Sequence, residues 1–173
     1  MTAFVFPTID TERLTLRLLT LEDAPAVYRH FSQAEVTRFM DIPPCKDMRE
    51  AEDIIQFHID DSGCRWGLFD RETGQLAGTC GYHCWVSGPE ARAEIGFDLS
   101  TAYWGQGLMG EALRPVLELG FTRMGLERVE ATVEPGNVRS IRLLEKLGFH
   151  RHEEPVQNLI YFDLKRKDIH YGA

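Results

Sequence analysis

Residues 94 to 113 read EIGFDLSTAYWGQGLMGEAL, a run that places a glycine-rich turn between a predicted strand and a predicted helix. Within it Gly105, Gly107 and Gly110 spell GxGxxG, a spacing found in dinucleotide-binding turns. Glycines let backbone N–H groups converge on phosphate oxygens, and the following helix directs the positive end of its dipole at the same point. The stretch therefore predicts a phosphate-binding loop, with a plain connecting turn as the alternative.

The chain on both sides of this loop reads as a series of strands and helices. Alternating Leu and polar residues at 13 to 19 predict a first strand, and the spacing of apolar residues predicts helices at 21 to 31 and 46 to 61. Three strand-like runs with short turns follow at 64 to 70, 75 to 86 and 91 to 100. After the loop come a helix, a strand at 127 to 135, a helix from Asn137 to Gly148, and two last strands.

This order of elements predicts an α/β protein of the α+β type. We expect one domain over residues 1–173, with a mixed, mostly antiparallel sheet of about seven strands flanked by helices. A dinucleotide-binding fold needs its glycines directly after the first strand of a βαβ series. Here the residues STAYWG separate the strand from the glycines, and a meander precedes them. A dinucleotide oxidoreductase is therefore the weaker interpretation, although Glu127 or Glu130 could supply its acidic residue.

Composition excludes several classes of function. The chain has 19 basic and 27 acidic residues and a net charge of −8, which argues against nucleic-acid binding. It has no apolar leader and no stretch of membrane-spanning length, so we expect a cytoplasmic protein without a membrane partner. The four cysteines are too few and scattered for a disulfide framework, and we expect no metal at Cys80, His83 and Cys84, because strand alternation separates His83 from the two thiols.

Two separated motifs together resemble a known family. The run at 94 to 113 and VEATVEPGNVRSIRLLEKLGF at 129 to 149 are similar to the GNAT superfamily of N-acetyltransferases, and within it to the RimJ/RimL-like ribosomal-protein alanine acetyltransferases. The resemblance extends from TERLTLRLL, which begins at Thr11, to the C-terminal strand. It implies the GNAT fold and an enzyme that transfers acetyl from acetyl-CoA, its acyl-donor substrate, to a protein N-terminal α-amine or a small-molecule amine.

The resemblance also implies which residues bind the acyl donor. The strand from Glu94 to Leu99 would run beside the pantetheine arm, and the loop from Trp104 to Gly110 would hold the pyrophosphate. Met109 departs from the family pattern, which has Gly or Ala at that position. The implied binding residues are Phe97, Asp98, Leu99, Trp104, Gly105, Gln106, Gly107, Leu108, Met109, Gly110, Asn137 and Ser140. Asn137 reads equally well as the N-cap of its helix.

Acetyl transfer to an amine needs a base, a group that stabilises the oxyanion and a proton for the leaving thiolate. Many family members place a tyrosine acid where this chain has Leu144, so Ser140 is the predicted substitute, with local hydrogen bonding as its alternative role. Glu94 is the predicted base, and a backbone N–H near Phe97 or Asp98 could stabilise the oxyanion. The other bases that the sequence leaves open are Glu130, Glu134, His83 and Tyr161.

The missing tyrosine also leaves a second class of function open. A GNAT-like domain that senses acyl-CoA without turnover would have the same binding residues and lack the catalytic ones. The acceptor amine is not fixed by the sequence, which also leaves a homodimer open. Net acidity is compatible with a cationic acceptor.

Overall fold

The computed structural model describes residues 3–169 of the chain, and these residues form one sheet of eight strands. The strands are β1 Ile9–Asp10, β2 Leu14–Leu18, β3 Cys64–Asp70, β4 Leu76–Val86, β5 Arg92–Leu99, β6 Arg128–Val133, β7 His150–Arg151 and β8 Ile160–Lys165. Their order across the sheet is β1-β2-β3-β4-β5-β6-β8-β7. The helices are α1 Ala24–Phe31, α2 Ala34–Thr37, α3 Met48–Asp60, α4 Leu108–Thr122 and α5 Val138–Lys146. The predicted mixed, mostly antiparallel sheet is confirmed, and the additional strand is the two-residue β1.

One parallel pair interrupts the antiparallel sheet and divides it. β5 and β6 pair only at Arg92–Arg128, Ala93–Val129 and Glu94–Glu130. Beyond Glu94, β5 stays paired with β4 as far as Leu99, while β6 stays paired with β8 as far as Val133. The two strands therefore separate, and a gap opens in the middle of the sheet.

Helices cover the sheet on both faces and create two hydrophobic cores. The larger core includes α4, whose predicted apolar stripe is buried as expected at Leu113, Val116, Leu117 and Phe121. Met124, the last residue of the predicted stripe, is also buried but lies beyond the end of the helix. Tyr82 of β4 is fully buried against this helix, and its hydroxyl donates a hydrogen bond to the Val116 carbonyl at 2.8 Å. The smaller core lies between the other face of the sheet and the helices α1 and α3.

The apolar stripe of α3 is narrower than its sequence spacing predicts. Ala51 and Ile55 are fully buried, whereas Met48 and Ile59 are 39% and 51% exposed. Both exposed residues lie in the terminal turns of the helix, and only the middle turns pack against α1 and the sheet. No helix within residues 3–169 is long and apolar enough to cross a membrane.

Candidate active site

The gap between β5 and β6 forms a cleft with a volume of about 1020 Å³. Its walls come from β5, the glycine loop, the end of β6, the start of α5, and residues 35–41 in and after α2. Every predicted binding and catalytic residue lines this cleft except Gln106, which is exposed and donates to the Ala102 carbonyl at 3.1 Å. The fold therefore brings the predicted residues together in one cleft, with Gln106 as the exception.

Free backbone groups of β5 line one wall of the cleft. The Ser100 N–H donates to the Ala77 carbonyl at 2.8 Å, and hydrogen-bonding sides alternate along a strand, so Asp98 also faces β4. Phe97 and Leu99 consequently direct their N–H and C=O groups into the gap. The Trp104 indole N–H donates to the Leu99 carbonyl at 2.8 Å, and this bond ties the loop to the strand. Phe97 keeps both of its backbone groups facing the cleft.

The glycine loop presents the uncapped N-terminus of α4 to the cleft. Gly105 and Gly107 have φ values of 73° and 74°, a left-handed conformation that glycine adopts without strain. Gly107 is the N-cap, and no side chain among the described residues caps this helix. The first intrahelical bond runs from Glu111 N–H to the Gly107 carbonyl at 3.1 Å, so the preceding N–H groups have no helical acceptor. Such an end is suited to an anion.

Met109, where the sequence departs from the family pattern, is a buried residue that also lines the cleft. Met109 is 7% exposed and belongs to the larger core. Gly110 is also buried, next to Leu143 of α5. The larger side chain at 109 is therefore accommodated in the core.

Positive charge lies across the cleft from the loop. The Arg139 guanidinium of α5 stacks on the Trp104 ring at 3.4 Å from its centroid, and the exposed Arg142 follows one helical turn later. Both arginines line the cleft. The stacking pair joins the two walls, and the arginines add positive charge at the end where the helix N-terminus already favours an anion.

Asn137 and Ser140 are brought together at the start of α5. The Asn137 side chain accepts a hydrogen bond from the Ser140 N–H at 3.3 Å, which confirms the predicted N-cap. Ser140 is half-buried and lines the cleft, whereas Leu144 is fully buried in the core. Position 140 therefore offers a hydroxyl group at the cleft, whereas position 144 offers no polar group.

Glu94 lies where the two strands begin to separate. Its Oε1 accepts a hydrogen bond from the Thr132 hydroxyl of β6 at 3.0 Å, across the gap. His83 of β4 is its direct cross-strand neighbour, and both residues line the cleft. The carboxylate is half-buried and retains acceptor capacity beyond its single bond to Thr132.

A buried charge network under the cleft was not anticipated from the sequence. Asp98 is 8% exposed, and its carboxylate accepts from Arg65 Nη2 at 2.7 Å and contacts His30 Nε2 at 2.5 Å. His30 Nδ1 lies 2.6 Å from the Ser100 hydroxyl, which links α1 to the end of β5. Burial alone would raise the pKa of Asp98, but His30 and Arg65 outweigh it and lower the pKa to about 2. The Asp98 side chain therefore serves this network.

Both ring nitrogens of His83 contact charged side chains of the same network. A guanidinium can only donate, so the bond of 3.0 Å from Arg65 Nη1 makes His83 Nε2 the acceptor. The proton is then on Nδ1, which lies 3.2 Å from Asp61 Oδ2. Burial, followed by the charge of Arg65, lowers the pKa of His83. Neighbouring His58 has a pKa lowered to about 4, mainly by burial. His83 is thus neutral, with its lone pair already engaged.

Of the other residues that the sequence left open as candidate bases, one lines the cleft and two do not. Glu134 is exposed and lines the cleft. Glu130 forms an ion pair with Arg92 at 3.3 Å. Burial, followed by the charge of the neighbouring Glu130, raises the pKa of Tyr161 to about 12. Neither Glu130 nor Tyr161 lines the cleft. Within residues 3–169, no cluster of three or more His, Cys, Asp or Glu side chains is arranged to hold a metal ion.

Comparison with known proteins agrees with this geometry. Residues 13–150 match the model of the acetyltransferase (GNAT) domain family. The uncharacterized N-acetyltransferase p20 of Bacillus licheniformis is 40% identical over 148 residues, 83% of each chain. The ribosomal protein uS5-alanine N-acetyltransferase of Escherichia coli (strain K12) is 27% identical over 155 residues, covering 83% of this chain and 78% of that protein.

A solved structure extends the match to the fold. RimL, a ribosomal L7/L12 alpha-N-protein acetyltransferase in complex with coenzyme A, superposes with a TM-score of 0.80 at 17% identity, over 92% of this chain and 98% of that chain. At this identity the likeness concerns the fold. The chain therefore belongs to the GNAT acetyltransferase family and is an N-acetyltransferase whose donor is acetyl-CoA.

Proposed function

We propose that this enzyme transfers the acetyl group directly from the thioester of acetyl-CoA to a primary amine, either a protein N-terminal α-amine or a small-molecule amine. The observation that carries the proposal is the juxtaposition of three features in one cleft: the free backbone groups of Phe97, the uncapped N-terminus of α4 and the carboxylate of Glu94. Together they offer an amide partner, an anion site and a base.

The binding roles follow from the chemistry of each wall. The Phe97 carbonyl and the Leu99 N–H pair with the pantetheine amides, and the Asn137 amide adds a polar contact to them. The loop from Trp104 to Gly110 holds the pyrophosphate through N–H groups, with Arg139 and Arg142 nearby as counter-charges. These assignments use groups that have few protein partners of their own.

The catalytic roles are divided among three groups. Glu94 accepts a proton from the ammonium of the acceptor, directly or through water, so that the neutral nitrogen can attack the thioester carbon. The Phe97 N–H stabilises the oxyanion as the C–N bond forms, because the Asp98 N–H faces β4. The C–S bond then breaks as the carbonyl re-forms, and Ser140 relays the proton that the attacking nitrogen gives up to the departing thiolate. His83 is the less suitable base because Arg65 occupies its acceptor nitrogen.

Charge favours a cationic acceptor on the side of Glu94. Three exposed carboxylates line the cleft near residues 35–41 and the end of β6, and they outnumber the exposed Arg38 of the same segment: Glu35, Asp41 and Glu134. The arginines of α5 lie at the opposite, phosphate-binding end, together with the loop. An anionic donor and a cationic acceptor would therefore each meet the opposite charge.

Thermal shift with acetyl-CoA, CoA, NAD and NADP, followed by a thiol-release assay over a panel of amines, tests the proposal. We expect acetyl-CoA and CoA to raise the melting temperature and at least one amine to release free thiol. Stabilisation by CoA without thiol release from any amine would favour a non-catalytic acyl-CoA sensor. Stabilisation by NAD and not by CoA would contradict the proposal.

Replacing Ser140 with alanine tests the proton relay. We expect Ser140→Ala to lower kcat by about 10- to 100-fold and to change the Kd for acetyl-CoA by less than about threefold, since the hydroxyl acts after binding. Steady-state kinetics and a fluorescence titration measure the two quantities. Ser140→Thr retains a hydroxyl and serves as the control. An unchanged kcat in Ser140→Ala would remove this residue from the mechanism.

The two roles of Asn137 can be separated by two substitutions. Asn137→Ala removes the N-cap and should lower the free energy of unfolding by about 1 kcal/mol, whereas Asn137→Ser keeps a capping oxygen and should preserve stability. Both variants lack the amide and should raise the KM for acetyl-CoA. Urea denaturation and initial-rate kinetics measure these effects. A normal KM in Asn137→Ser would leave Asn137 with the capping role only.

A further inference from the structure

One edge of the cleft is formed by α4 and α5 together. Gly110 of α4 and Arg142 and Leu143 of α5 line the cleft at this edge. A methyl group added at Gly110 would lie 3.4 Å from Arg114 Nη1 and 3.6 Å from Leu143 Cδ1. The guanidinium of Arg114 therefore lies beside the cleft, on the α4 side of the edge, and Arg142 lies on the α5 side.

The arginines of this edge have the opposite sign from the charge that a helix N-terminus favours. Arg114 belongs to the second turn of α4, and its side chain folds back over Gly110 in the first turn. Arg139 and Arg142 lie in the first two turns of α5. The first turns of a helix are stabilised by carboxylates and destabilised by cations. Three exposed guanidinium groups are thus placed where a negative charge is expected.

The protein itself supplies no carboxylate to these arginines. Within residues 3–169, no carboxylate oxygen lies within 4.0 Å of a charged nitrogen of Arg114, Arg139 or Arg142. Glu111, the acidic residue in the first turn of α4, is paired with Arg13 Nε at 2.9 Å instead. The edge is therefore locally positive in a chain whose net charge is −8.

The donor carries a phosphate that the glycine loop does not account for. Besides its pyrophosphate, acetyl-CoA has a phosphate on the 3′-hydroxyl of the adenosine ribose, with about two negative charges near neutral pH. The pantetheine arm lies along β5 in the proposed function, which leaves the edge between α4 and α5 for the nucleotide. A guanidinium offers forked N–H donors that match phosphate oxygens.

We propose that Arg114 and Arg142 bind the 3′-phosphate of the donor and make the enzyme selective for acetyl-CoA over acetyl-dephospho-CoA, which lacks that phosphate. The two arginines reach the phosphate from opposite sides of the edge, and the phosphate supplies the negative charge that their positions require. This inference rests on the proposed placement of the pyrophosphate at the glycine loop.

Calorimetric titration of the wild-type enzyme with CoA and with dephospho-CoA tests the site without any need for turnover. We expect CoA to bind at least about fivefold more tightly than dephospho-CoA, as for a phosphate that loses charge-assisted hydrogen bonds. Equal dissociation constants for the two ligands would overturn the proposal.

Replacing Arg114 separates the 3′-phosphate from the pyrophosphate. We expect Arg114→Ala to weaken CoA by about fivefold and dephospho-CoA by less than about twofold, because only CoA carries the phosphate that Arg114 contacts. Arg114→Lys keeps the charge and should retain part of the selectivity. Equal weakening of both ligands in Arg114→Ala would assign this residue to the pyrophosphate and contradict the proposal. Arg49→Ala is the matched control, since Arg49 is an exposed arginine in the first turn of α3 and lies outside the cleft.

The outcomes distinguish this site from the proposed reaction. Selective binding of CoA without thiol release from any amine would support the 3′-phosphate site and contradict the proposed function. Thiol release with equal use of acetyl-CoA and acetyl-dephospho-CoA would contradict the site and leave the proposed function standing. A selectivity that falls as much in Arg49→Ala as in Arg114→Ala would also contradict the site.

Discussion

Asp98→Ala is expected to lower the free energy of unfolding by about 3–5 kcal/mol, the range typical of a buried ion pair that loses one partner. Arg65 is 7% exposed and would remain in the interior without its carboxylate, and His30 would lose the same partner. Urea denaturation followed by circular dichroism measures the change. Asp61→Ala removes a more exposed carboxylate at the end of the same network and should cost less than about 1 kcal/mol. Equal losses in the two variants would contradict this interpretation.

The pH dependence of stability provides an independent check of the same group. The pKa of Asp98 is lowered to about 2 in the folded state, so its contribution is fully present above the ordinary pKa of an unfolded aspartate, about 4. The contribution is lost as the pH falls from about 4 to about 2. Asp98→Asn cannot titrate, and its free energy of unfolding should therefore fall less steeply than that of the wild type over this interval. Parallel curves would show that Asp98 is not the group responsible.

Phe97→Pro is expected to lower kcat/KM by about 100- to 1,000-fold, the usual effect of removing an oxyanion donor. Proline lacks an N–H, and at this position the N–H faces the gap and takes no part in the ladder with β4. The preceding residue, Gly96, is extended in the strand, as a residue before proline should be. The kcat/KM for acetyl-CoA, measured by thiol release at a saturating concentration of the amine, gives the size of the effect.

Phe97→Ala separates the N–H from the ring. This variant keeps the backbone donor and loses only the packing of the half-buried phenyl group against the larger core. We expect it to retain activity within about 10-fold of the wild type, with melting temperatures used to confirm that both variants fold. Equal activities in Phe97→Pro and Phe97→Ala would exclude the backbone N–H from catalysis.

The end of the cleft that is formed by the glycine loop and the start of α5 was predictable because its signals are local in sequence. The glycines at 105 and 107, the strand that precedes them and the cap at Asn137 all lie within a few residues of the structure they determine. Glycine in a left-handed turn and asparagine before a helix each have one dominant physical reason. The fold class could be predicted for the same reason, because strand alternation and helical spacing can be read within short stretches of the sequence.

The network around Asp98 could not be predicted in the same way. Its members are separated by 33 and 68 residues along the chain, so only the folded sheet and α1 bring them together. A signal was nevertheless present, since Arg65 interrupts an otherwise apolar run from Cys64 to Leu68 that is buried throughout. A charge in such a run requires a buried partner. Residues 35–41 lie in a segment with no periodic pattern, and for that reason this wall of the cleft was not predicted.

The short parallel ladder between β5 and β6 also has a consequence for how the enzyme folds. β3, β4 and β5 are consecutive antiparallel neighbours, whereas the link to β6 spans three residue pairs and requires α4 to cross over first. Contacts between nearby segments form before contacts that close long loops. We therefore expect the meander of β3 to β5 to be protected from hydrogen exchange early during refolding, and β6 and β8 later. The cleft between β5 and β6 would then assemble only after the meander has formed.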